Sequence, residues 1–270
     1  MPMEGQSVKD LKDKWTLVTG ASSGIGAEFA SQLAQSGANV IMVARREERL
    51  SELADSLREK HGVVARVVAM DLLDPDAPTK LFNEVGDTPV DLLVNNAGFG
   101  DYGAFTQIDG QRAASMVQLN IQCLVQLTHI FLPGMIERKA GAIINVASTS
   151  AFQAVPYMSL YAATKAFVLH FSEGLWAETR KQGVTVQALC PGFTKTEFFA
   201  EAGLPENVPF GTTTVRQVVS DSLEALPKRR QYTVPGWVNY FVSLSNRLIT
   251  RRMGAVNGAK IFSPRRLGSK

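Results

Sequence analysis

A short apolar run near the start of the chain, Trp15–Thr19, leads directly into the glycine-rich turn Gly20-Ala-Ser-Ser-Gly24-Ile-Gly26. A helix-like stretch follows at 25–36 and is closed by Gly37, and a second apolar run, Asn39–Ala44, comes next. The order strand, glycine turn, helix, strand predicts a βαβ unit, because two parallel strands of one sheet must be joined by a crossover connection.

A turn of this kind has a binding chemistry of its own. Glycines let the backbone approach a pyrophosphate, and the N-terminus of the following helix offers unpaired N–H groups and the positive end of its dipole. The sequence therefore predicts a dinucleotide phosphate site at Gly20, Ser22, Ser23, Gly24, Ile25 and Gly26. An ordinary glycine-rich turn is the alternative, and the position between a strand and a helix favours the binding site.

Strand-like and helix-like segments alternate along most of the chain. Apolar runs typical of buried parallel strands lie at 15–19, 39–44, 64–70, 91–94, 142–147, 184–189 and, more weakly, 231–234. Helix-like segments lie between them at 25–36, 46–60, 76–86, 110–139 and 159–182. The alternation predicts an α/β fold of the Rossmann type, a doubly wound parallel sheet of about seven strands with helices on both faces. A ligand is then expected beyond the carboxyl ends of the strands.

The length and composition predict one globular domain over residues 1–270. The chain is 45% hydrophobic and 20% charged, which provides enough apolar surface for a full core. Its two cysteines, Cys123 and Cys190, lie in apolar patterns, so we expect buried thiols and a reducing, cytoplasmic location. The polar residues 1–14 contain no apolar targeting segment, and no apolar run is long enough to predict a membrane span. The three histidines lack the spacing of metal ligands, so no metal site is predicted.

Acid–base chemistry is predicted at Tyr161-Ala-Ala-Thr-Lys165, on the helix-like segment 159–182. The four-residue step places the phenol and the ammonium on one helical face, about one turn apart. A free tyrosine has a pKa of about 10, so proton transfer near neutral pH requires stabilisation of the phenolate, which a neighbouring lysine provides. The same spacing is also common on solvated helix faces, so the pair needs support from other residues.

Other residues supply that support. Ser148 precedes Tyr161, and the glycine spacing Gly-x-x-x-Gly-x-Gly differs from the commoner Gly-x-Gly-x-x-Gly. In combination these features resemble the short-chain dehydrogenase/reductase family, in its compact single-domain branch. Further markers of that family follow in order along the chain: Asp71, Asn95-Asn96-Ala97-Gly98, Asn120, and Pro191-Gly192 with Thr194 and Thr196. The resemblance covers roughly residues 14 to 200.

The resemblance implies a catalytic set of Asn120, Ser148, Tyr161 and Lys165. Tyr161 is then the general acid when a carbonyl is reduced and the general base when an alcohol is oxidised. Lys165 lowers the pKa of Tyr161 and holds the ribose of the nicotinamide half, while Ser148 donates a hydrogen bond to the substrate oxygen. Asn120 interrupts its helix and carries a water that links Lys165 to solvent.

The resemblance also implies contacts with a nicotinamide cofactor. Asp71 receives the adenine amino group, and the loop beneath the cofactor is shaped by Asn96, Ala97 and Gly98. The nicotinamide carboxamide is received by Pro191, Gly192, Thr194 and Thr196. Two alternatives stay open, because Asp71 also fits the start of a turn before Asp74-Pro75, and the asparagines also fit a role in bracing neighbouring strands.

The end of the second strand indicates which cofactor is used. A carboxylate at that position would hydrogen-bond the ribose 2′-hydroxyl of NAD and would repel a 2′-phosphate. Here Ala44 is followed by Arg45 and Arg46, and guanidinium groups pair well with phosphate. NADP(H) is therefore favoured over NAD(H). In the alternative, both arginines are surface residues that pair with Glu47, Glu48 or Glu52.

Residues beyond about 200 lie outside the family pattern. The stretch 193–214 contains glycines, prolines and four phenylalanines and directly follows the cofactor segment, so we predict a lid over the substrate rather than a surface loop. Helices are predicted at 212–226 and 236–250. The second carries a stripe that is typical of core or subunit contact, formed by Trp237, Tyr240, Phe241, Leu244 and Leu248.

Charge is distributed unevenly along the chain. Residues 228–270 contain ten of the 28 Lys and Arg and none of the 25 Asp and Glu. We expect this basic segment to pack on the acidic body or on a partner subunit, with docking on an anionic membrane as the alternative. Nucleic-acid binding is not predicted, because the segment lacks aromatic residues interleaved with its arginines and contains no recognisable motif.

These features predict an NADP(H)-dependent oxidoreductase that acts on an apolar ketone or secondary alcohol, such as a carbonyl, oxoacyl or steroid-like substrate. The apolar substrate is indicated by the lid phenylalanines and by Phe99, Phe152, Tyr157 and Met158 near the expected pocket. The alternative is an NADP(H)-sensing protein that docks on a partner or an anionic membrane through its basic segment. The resemblance also implies a homodimer or homotetramer, paired through the helices at 110–139 and 159–182.

Overall fold

The sheet of this protein is parallel throughout. A computed structural model describes residues 11–204, 213–246 and 248–264. Within them, seven strands lie in the order β3-β2-β1-β4-β5-β6-β7, and each neighbouring pair is parallel. The strands are β1 Trp15–Thr19, β2 Asn39–Ala44, β3 Ala65–Ala69, β4 Val90–Asn95, β5 Gly141–Val146, β6 Val184–Leu189 and β7 Tyr232–Thr233. The order reverses between β1 and β4, which confirms the predicted doubly wound Rossmann-type sheet.

Both faces of the sheet are buried, and the strand sequences reflect this. Val40 and Met42 of β2 lie in one core cluster, whereas Ile41 and Val43 lie in the cluster on the opposite face. Side chains alternate between faces along a strand, so a strand covered on both sides has to be apolar at every position. The continuous apolar runs of the sequence are explained by this burial.

The described residues form ten α-helices, which include those that cover the two faces. They are α1 Gly24–Gln35, α2 Glu47–His61, α3 Ala77–Val85, α4 Gly110–Val117, α5 Leu124–Glu137, α6 Ser159–Thr179, α7 Phe198–Glu201, α8 Val215–Ala225, α9 Trp237–Ser245 and α10 Arg251–Ile261. Side chains of α1, α2 and α8 fill one core cluster, while those of α3, α5 and α6 pack in the other. A fully buried side chain such as Phe29 of α1 contributes about 2–3 kcal/mol of hydrophobic stabilisation.

The structure differs from the predicted elements at the long central helix and toward the C-terminus. The segment predicted as one helix at 110–139 consists of α4, a π-helical stretch at Gln118–Cys123 and α5. The predicted lid contains the short helix α7, and its residues 205–212 lie outside the described part of the chain. Helix α10 was not predicted, because Gly254 and Gly258 weaken its helical pattern. Thr250 caps α10 by accepting a hydrogen bond from the backbone N–H of Met253 at 3.2 Å.

One helical run has the length and composition of a membrane span. The run Gly110–Glu137 is long and apolar enough to cross a bilayer by those two criteria. In the fold, however, Leu127, Phe131 and Met135 of α5 are buried in the core cluster that also contains Ile143 of β5. Core helices of globular domains meet the same criteria, so we interpret this run as a core helix.

Candidate active site

The carboxyl ends of the central strands open into one cavity of about 1120 Å³. The predicted site residues that line it are Gly20, Ser22, Ser23, Gly24, Ile25, Arg45, Arg46, Asp71, Asn96, Ala97, Gly98, Ser148, Tyr161, Lys165, Pro191, Gly192, Thr194 and Thr196. Gly26 and Asn120 are buried behind its wall. The fold therefore brings the predicted residues together from segments that are far apart in the chain.

The glycine turn packs tightly against the end of β4. Asn96 donates its side-chain amide to the carbonyl oxygens of Thr19 and Gly20 at 2.9 and 3.2 Å. Gly20 has a φ of +66°, which favours glycine, and a Cβ on Gly26 would collide with the Gly20 carbonyl oxygen. A side chain at Gly26 would push α1 away from the glycine turn, and one at Gly20 would collide with Asn96 and Ala97 after β4.

The first turn of α1 fits the phosphates of a dinucleotide. Gly24 and Ile25 of that turn line the cavity. Ser23 stands at the N-cap, yet its side chain makes no capping hydrogen bond. The backbone N–H groups of the turn therefore have no side-chain acceptor from their cap, and an anion bound at this helix end would satisfy them.

Arg46 joins the glycine turn to the predicted lid. Its guanidinium donates hydrogen bonds to Ser22 Oγ at 3.0 and 3.1 Å and to Ser23 Oγ at 2.8 Å. It also forms an ion pair with Glu197 at 2.8 Å, and Arg49 pairs with the second oxygen of the same carboxylate at 2.6 Å. Hydrogen bonds from Arg46 and Arg49 lower the pKa of Glu197 to about 2. Two cations therefore share one carboxylate at this end of the cavity.

The surface pairing considered as an alternative for Arg46 is wrong. Arg46 pairs with Glu197, which is distant in sequence, rather than with the acids of the next helical turn. Arg45 is exposed and lines the same cavity. Asp71 also lines it and is exposed, while its Oδ1 accepts a hydrogen bond from the backbone N–H of Leu73 at 3.0 Å. Asp71 thus starts a turn and also faces the cavity, so its two predicted roles are compatible.

Tyr161 and Lys165 lie one turn apart on α6, as predicted. Lys165 Nζ lies 5.7 Å from the centre of the Tyr161 ring and donates a hydrogen bond to the backbone oxygen of Val146 at 2.7 Å. Ser148, just after β5, is hydrogen-bonded to Tyr161. Its Oγ also accepts the backbone N–H of Ser150 at 3.1 Å. A phenol, an ammonium and a hydroxyl therefore meet in the cavity wall.

Burial dominates the protonation of this group. It raises the pKa of Tyr161 to about 12, although the hydrogen bond with Ser148 acts in the opposite direction. Burial also lowers the pKa of Lys165 to about 8, which leaves the ammonium mostly charged at neutral pH. The sequence predicted a lowered pKa for Tyr161, and this is wrong for the effects that the protein's own groups exert on it. Desolvation of the phenolate outweighs the hydrogen bond with Ser148, and the Lys165 ammonium is itself hydrogen-bonded to Val146.

Asn120 lies in the π-helical stretch, which confirms that the long helix is interrupted there. Its side chain accepts the backbone N–H of Phe99 at 3.1 Å and donates to the backbone oxygen of Phe99 at 2.9 Å. It also donates to Thr164 Oγ1 at 3.1 Å. Asn120 therefore ties the loop after β4 to α6, one residue before Lys165, and π-helical bulges often occur at functional sites.

The other half of the cavity is apolar. The ring of Phe198 in α7 lies 5.3 Å from that of Tyr161, and Phe193 packs 5.9 Å from Phe199. Phe99 and Met158 line the cavity as predicted. Phe152, which was expected near the pocket, instead packs its ring 5.7 Å from that of Tyr232. Phe198 of the predicted lid therefore lies next to the predicted acid–base tyrosine.

The C-terminal helices form a wall that sequence reasoning missed. The wall residues from this region include Val238, Val242, Ile249, Ile261 and Phe262. The backbone oxygen of Phe262 accepts a hydrogen bond from Tyr102 at 2.9 Å, which fixes the end of α10 against the loop after β4. The signal that was available is the four-residue spacing of Val238 and Val242, which marks a second apolar face of α9.

The predicted stripe on α9 does not lie in the core. Trp237, Tyr240, Phe241, Leu244 and Leu248 are all exposed. The buried positions of α9 are instead the polar residues Asn239 and Ser243. Asn239 donates to Thr213 Oγ1 at 3.1 Å and to the backbone oxygen of Pro235 at 2.9 Å. Hydrogen bonding, rather than the apolar stripe, therefore orients this helix.

A family model described as short chain dehydrogenase matches residues 14–207. This chain belongs to the short chain dehydrogenase family. The matched segment contains the glycine turn, Ser148, Tyr161 and Lys165, and it ends within the predicted lid. In this short chain dehydrogenase, the part of the cavity wall built by α9 and α10 lies beyond the matched segment.

The relatives include proteins of known activity. The very-long-chain 3-oxoacyl-CoA reductase of Homo sapiens is 34% identical over 188 residues, which cover 68% of this chain and 60% of that protein. The chain thus spans 60% of the length of this curated relative. A short-chain dehydrogenase from Sphingobium yanoikuyae, solved in complex with NADPH, is 33% identical with a TM-score of 0.80, covering 90% of this chain and 95% of that one. The bulky-bulky ketone specific alcohol dehydrogenase from Comamonas testosteroni is 32% identical with a TM-score of 0.76. The match covers 90% of this chain and 94% of that one.

The buried charge of Lys165 predicts a pH-dependent stability. Its pKa falls from an ordinary 10.5 to about 8 on folding, so the unfolded chain holds more protons between these values and stability rises with pH across this window. Lys165→Met cannot titrate. We expect the free energy of unfolding of the variant to exceed that of the unchanged protein by roughly 3 kcal/mol at neutral pH. This difference should shrink as the pH rises through the window. Thermal unfolding across a pH series measures the difference.

Lys181→Met is the matched control for this prediction, because Lys181 is an exposed lysine just beyond α6. Its difference in melting temperature from the unchanged protein should stay constant with pH. A pH-independent difference for Lys165→Met as well would contradict the depressed lysine pKa.

Proposed function

We propose that this chain is an NADP(H)-dependent oxidoreductase that transfers a hydride between nicotinamide and an apolar ketone or secondary alcohol. The observation that carries the proposal is the meeting of Tyr161, Lys165 and Ser148 with the glycine turn in one cavity. The names of two relatives support it, since one reduces 3-oxoacyl-CoA and the other is an alcohol dehydrogenase specific for bulky ketones.

In the proposed reaction, groups of the protein transfer a proton to or from the substrate oxygen. When bound, the nicotinamide supplies the hydride in reduction and accepts it in oxidation. Tyr161 donates its proton to the carbonyl oxygen, and its high pKa keeps it protonated before the reaction. Ser148 donates a hydrogen bond to the same oxygen, and the charged Lys165 stabilises the phenolate that proton transfer leaves behind. Phe198, packed on Tyr161, shields the reacting atoms from water.

The preference for NADP(H) is supported by the charges at the end of β2. Arg46 is held against Ser22 and Ser23 of the glycine turn, and Arg45 lines the same part of the cavity. Asp and Glu are absent from the strand end itself, where Ala44 stands. A 2′-phosphate at this place pairs with a guanidinium, whereas NAD gains nothing from the same charges.

The cofactor preference is tested by Arg46→Gln. We expect NADPH binding to weaken by about tenfold and NADH binding to change less, because only NADPH loses a phosphate partner and Arg46 is partly exposed. Isothermal titration of both cofactors measures the two affinities. Arg58→Gln is the control, since Arg58 lies on α2 and pairs with Asp55. Tighter binding of NADH than of NADPH by the unchanged protein would refute the preference.

Glu197→Gln is a second variant that tests the cofactor preference. The carboxylate of Glu197 forms an ion pair with the Arg46 guanidinium, so it would compete with a 2′-phosphate for that cation. The isosteric amide should therefore tighten NADPH binding and leave NADH binding unchanged. A weaker affinity for NADPH would show instead that Glu197 holds Arg46 in its binding position.

Replacement of the predicted acid–base residue tests the mechanism. Tyr161→Phe should lower turnover by about 10²–10⁴-fold and leave NADPH affinity within a factor of about two, because only the proton donor is removed. Steady-state kinetics and titration measure the two properties. Tyr232→Phe is the control, since Tyr232 packs on Phe152 outside the main cavity. Undiminished turnover of Tyr161→Phe would exclude the mechanism.

The apolar half of the cavity supports a large apolar substrate. Its walls include Phe193, Phe198, Leu204, Val242 and Phe262. A cavity of about 1120 Å³ exceeds the space that a typical small ligand occupies, so it accommodates a dinucleotide together with a sizeable substrate. A 3-oxoacyl thioester or a bulky ketone fits this description.

A substrate panel tests this choice. Reduction of 3-oxoacyl-CoA of increasing chain length and of bulky aryl or steroid ketones is followed by NADPH absorbance. We expect kcat/KM to rise with apolar size, by about tenfold for each 1.4 kcal/mol of added apolar burial in the transition state. Short polar ketones and sugars are the control. A preference for those small polar substrates would contradict the proposal.

Oligomeric state and location stay proposals. Val117 of α4 and Phe167 of α6 are each 39% exposed, which supports pairing of two copies through these helices. We retain the homodimer or homotetramer and the cytoplasmic location as expectations for experiment.

A further inference from the structure

The C-terminal helices expose large apolar side chains that a globular surface normally buries. Trp237 and Phe241 of α9 are 76% and 61% exposed, and Leu248 beyond it is 87% exposed. Met253 of α10 is 52% exposed. We define the C-terminal apolar face as Trp237, Tyr240, Phe241, Leu244, Leu248 and Met253. Concentrated apolar exposure of this kind marks an interaction surface.

The segment that carries this face contains positive charge and no negative charge. Arg251 and Arg252 follow Leu248 closely and are exposed, as is Lys260 at the other end of α10. The segment 228–270 has ten Lys and Arg and no Asp or Glu. Within the described residues, all ion pairs lie outside this segment. The segment does pack on the body, through the pairing of β7 with β6 and the hydrogen bond from Tyr102 to Phe262, but its described cations form none of these ion pairs.

We propose that the C-terminal apolar face docks on an anionic lipid bilayer. Apolar side chains of an interfacial helix enter the boundary between headgroups and acyl chains, and Trp and Tyr prefer that boundary. The neighbouring arginines bind the anionic headgroups. Trp237 and Tyr240 supply the first attraction, and Arg251 and Arg252, which follow Leu248 closely in the chain, supply the second.

A second copy of the chain fits this face less well. Two copies that met through it would bring together two segments with ten cations and no anions each, and the like charges would repel. An anionic bilayer has negative headgroups that pair with the cations of the segment and an apolar layer that accepts its exposed apolar side chains. The charge pattern therefore favours the membrane over self-association.

The face is continuous with the cavity wall. Val238, Val242 and Ile249 line the cavity and are also 37%, 41% and 37% exposed. An apolar substrate dissolved in the bilayer would thus reach the cavity along these side chains without crossing water. This route rests on the proposed function, whereas the docking itself does not.

Vesicle flotation of the full chain tests the docking. We expect flotation with vesicles of phosphatidylcholine mixed with phosphatidylglycerol, little flotation with phosphatidylcholine alone, and weaker binding as salt is raised. The double variant Trp237→Ser/Phe241→Ser and, separately, Arg251→Gln/Arg252→Gln should each weaken binding by about tenfold or more. The matched controls are Phe105→Ser, at a phenylalanine that is 63% exposed outside the face, and Lys60→Gln/Lys181→Gln on the body.

Thermal unfolding and NADPH titration verify that each variant is folded. Leu248→Ser, between α9 and α10, is the second apolar variant if the Trp237/Phe241 pair fails to fold. The proposal is overturned if the unchanged protein does not float with anionic vesicles, or if the face variants float as well as the controls. It is also overturned if the apolar variants only dissociate an oligomer. Flotation of an inactive Tyr161→Phe variant separates docking from the proposed activity.

Discussion

Three pieces of backbone meet at the end of β1, and the cavity depends on how closely they approach. Gly26 of α1 lies so close to the carbonyl oxygen of Gly20 that a side chain at position 26 has no room. Asn96 holds that carbonyl from the end of β4, and Thr19 Oγ1 accepts the backbone N–H groups of Asn96 and Ala97 at 3.0 Å each. This close packing presents the first turn of α1 to the cavity as bare backbone, which is the condition for binding a phosphate through N–H groups.

The cavity that results has a charged half and an apolar half. Arg45 and Arg46 line it together with the buried ammonium of Lys165 beside Tyr161. Phe193, Phe198 and Phe199 of the predicted lid also line it, and Phe198 packs on Tyr161. A polyanionic cofactor gains from the first half, while burial in the second raises the tyrosine pKa and lowers the lysine pKa. The position of Tyr161 and Lys165 in the same cavity as the glycine turn supports the proposal that cofactor binding and proton transfer occur at one site.

Helix α9 has two apolar surfaces, one toward the cavity and one toward the outside of the protein. Val238 and Val242 of α9 face the cavity, and Trp237 and Phe241 are exposed on the outside. Between them Asn239 anchors the helix by hydrogen bonds. Because polar contacts position α9, its apolar residues are available both to line the cavity and to contact a surface beyond the protein.

The sequence by itself determined the parallel sheet, the glycine turn and the spacing of Tyr161 and Lys165. Those features follow from consecutive residues, because strand periodicity, glycine spacing and helical rise are local properties. Only the tertiary structure decided that Arg46 pairs with Glu197, 151 positions away, that burial raises the pKa of Tyr161, and that the apolar stripe of α9 is exposed. Each of these depends on which distant segment packs against a side chain, and that information is created only when the chain folds.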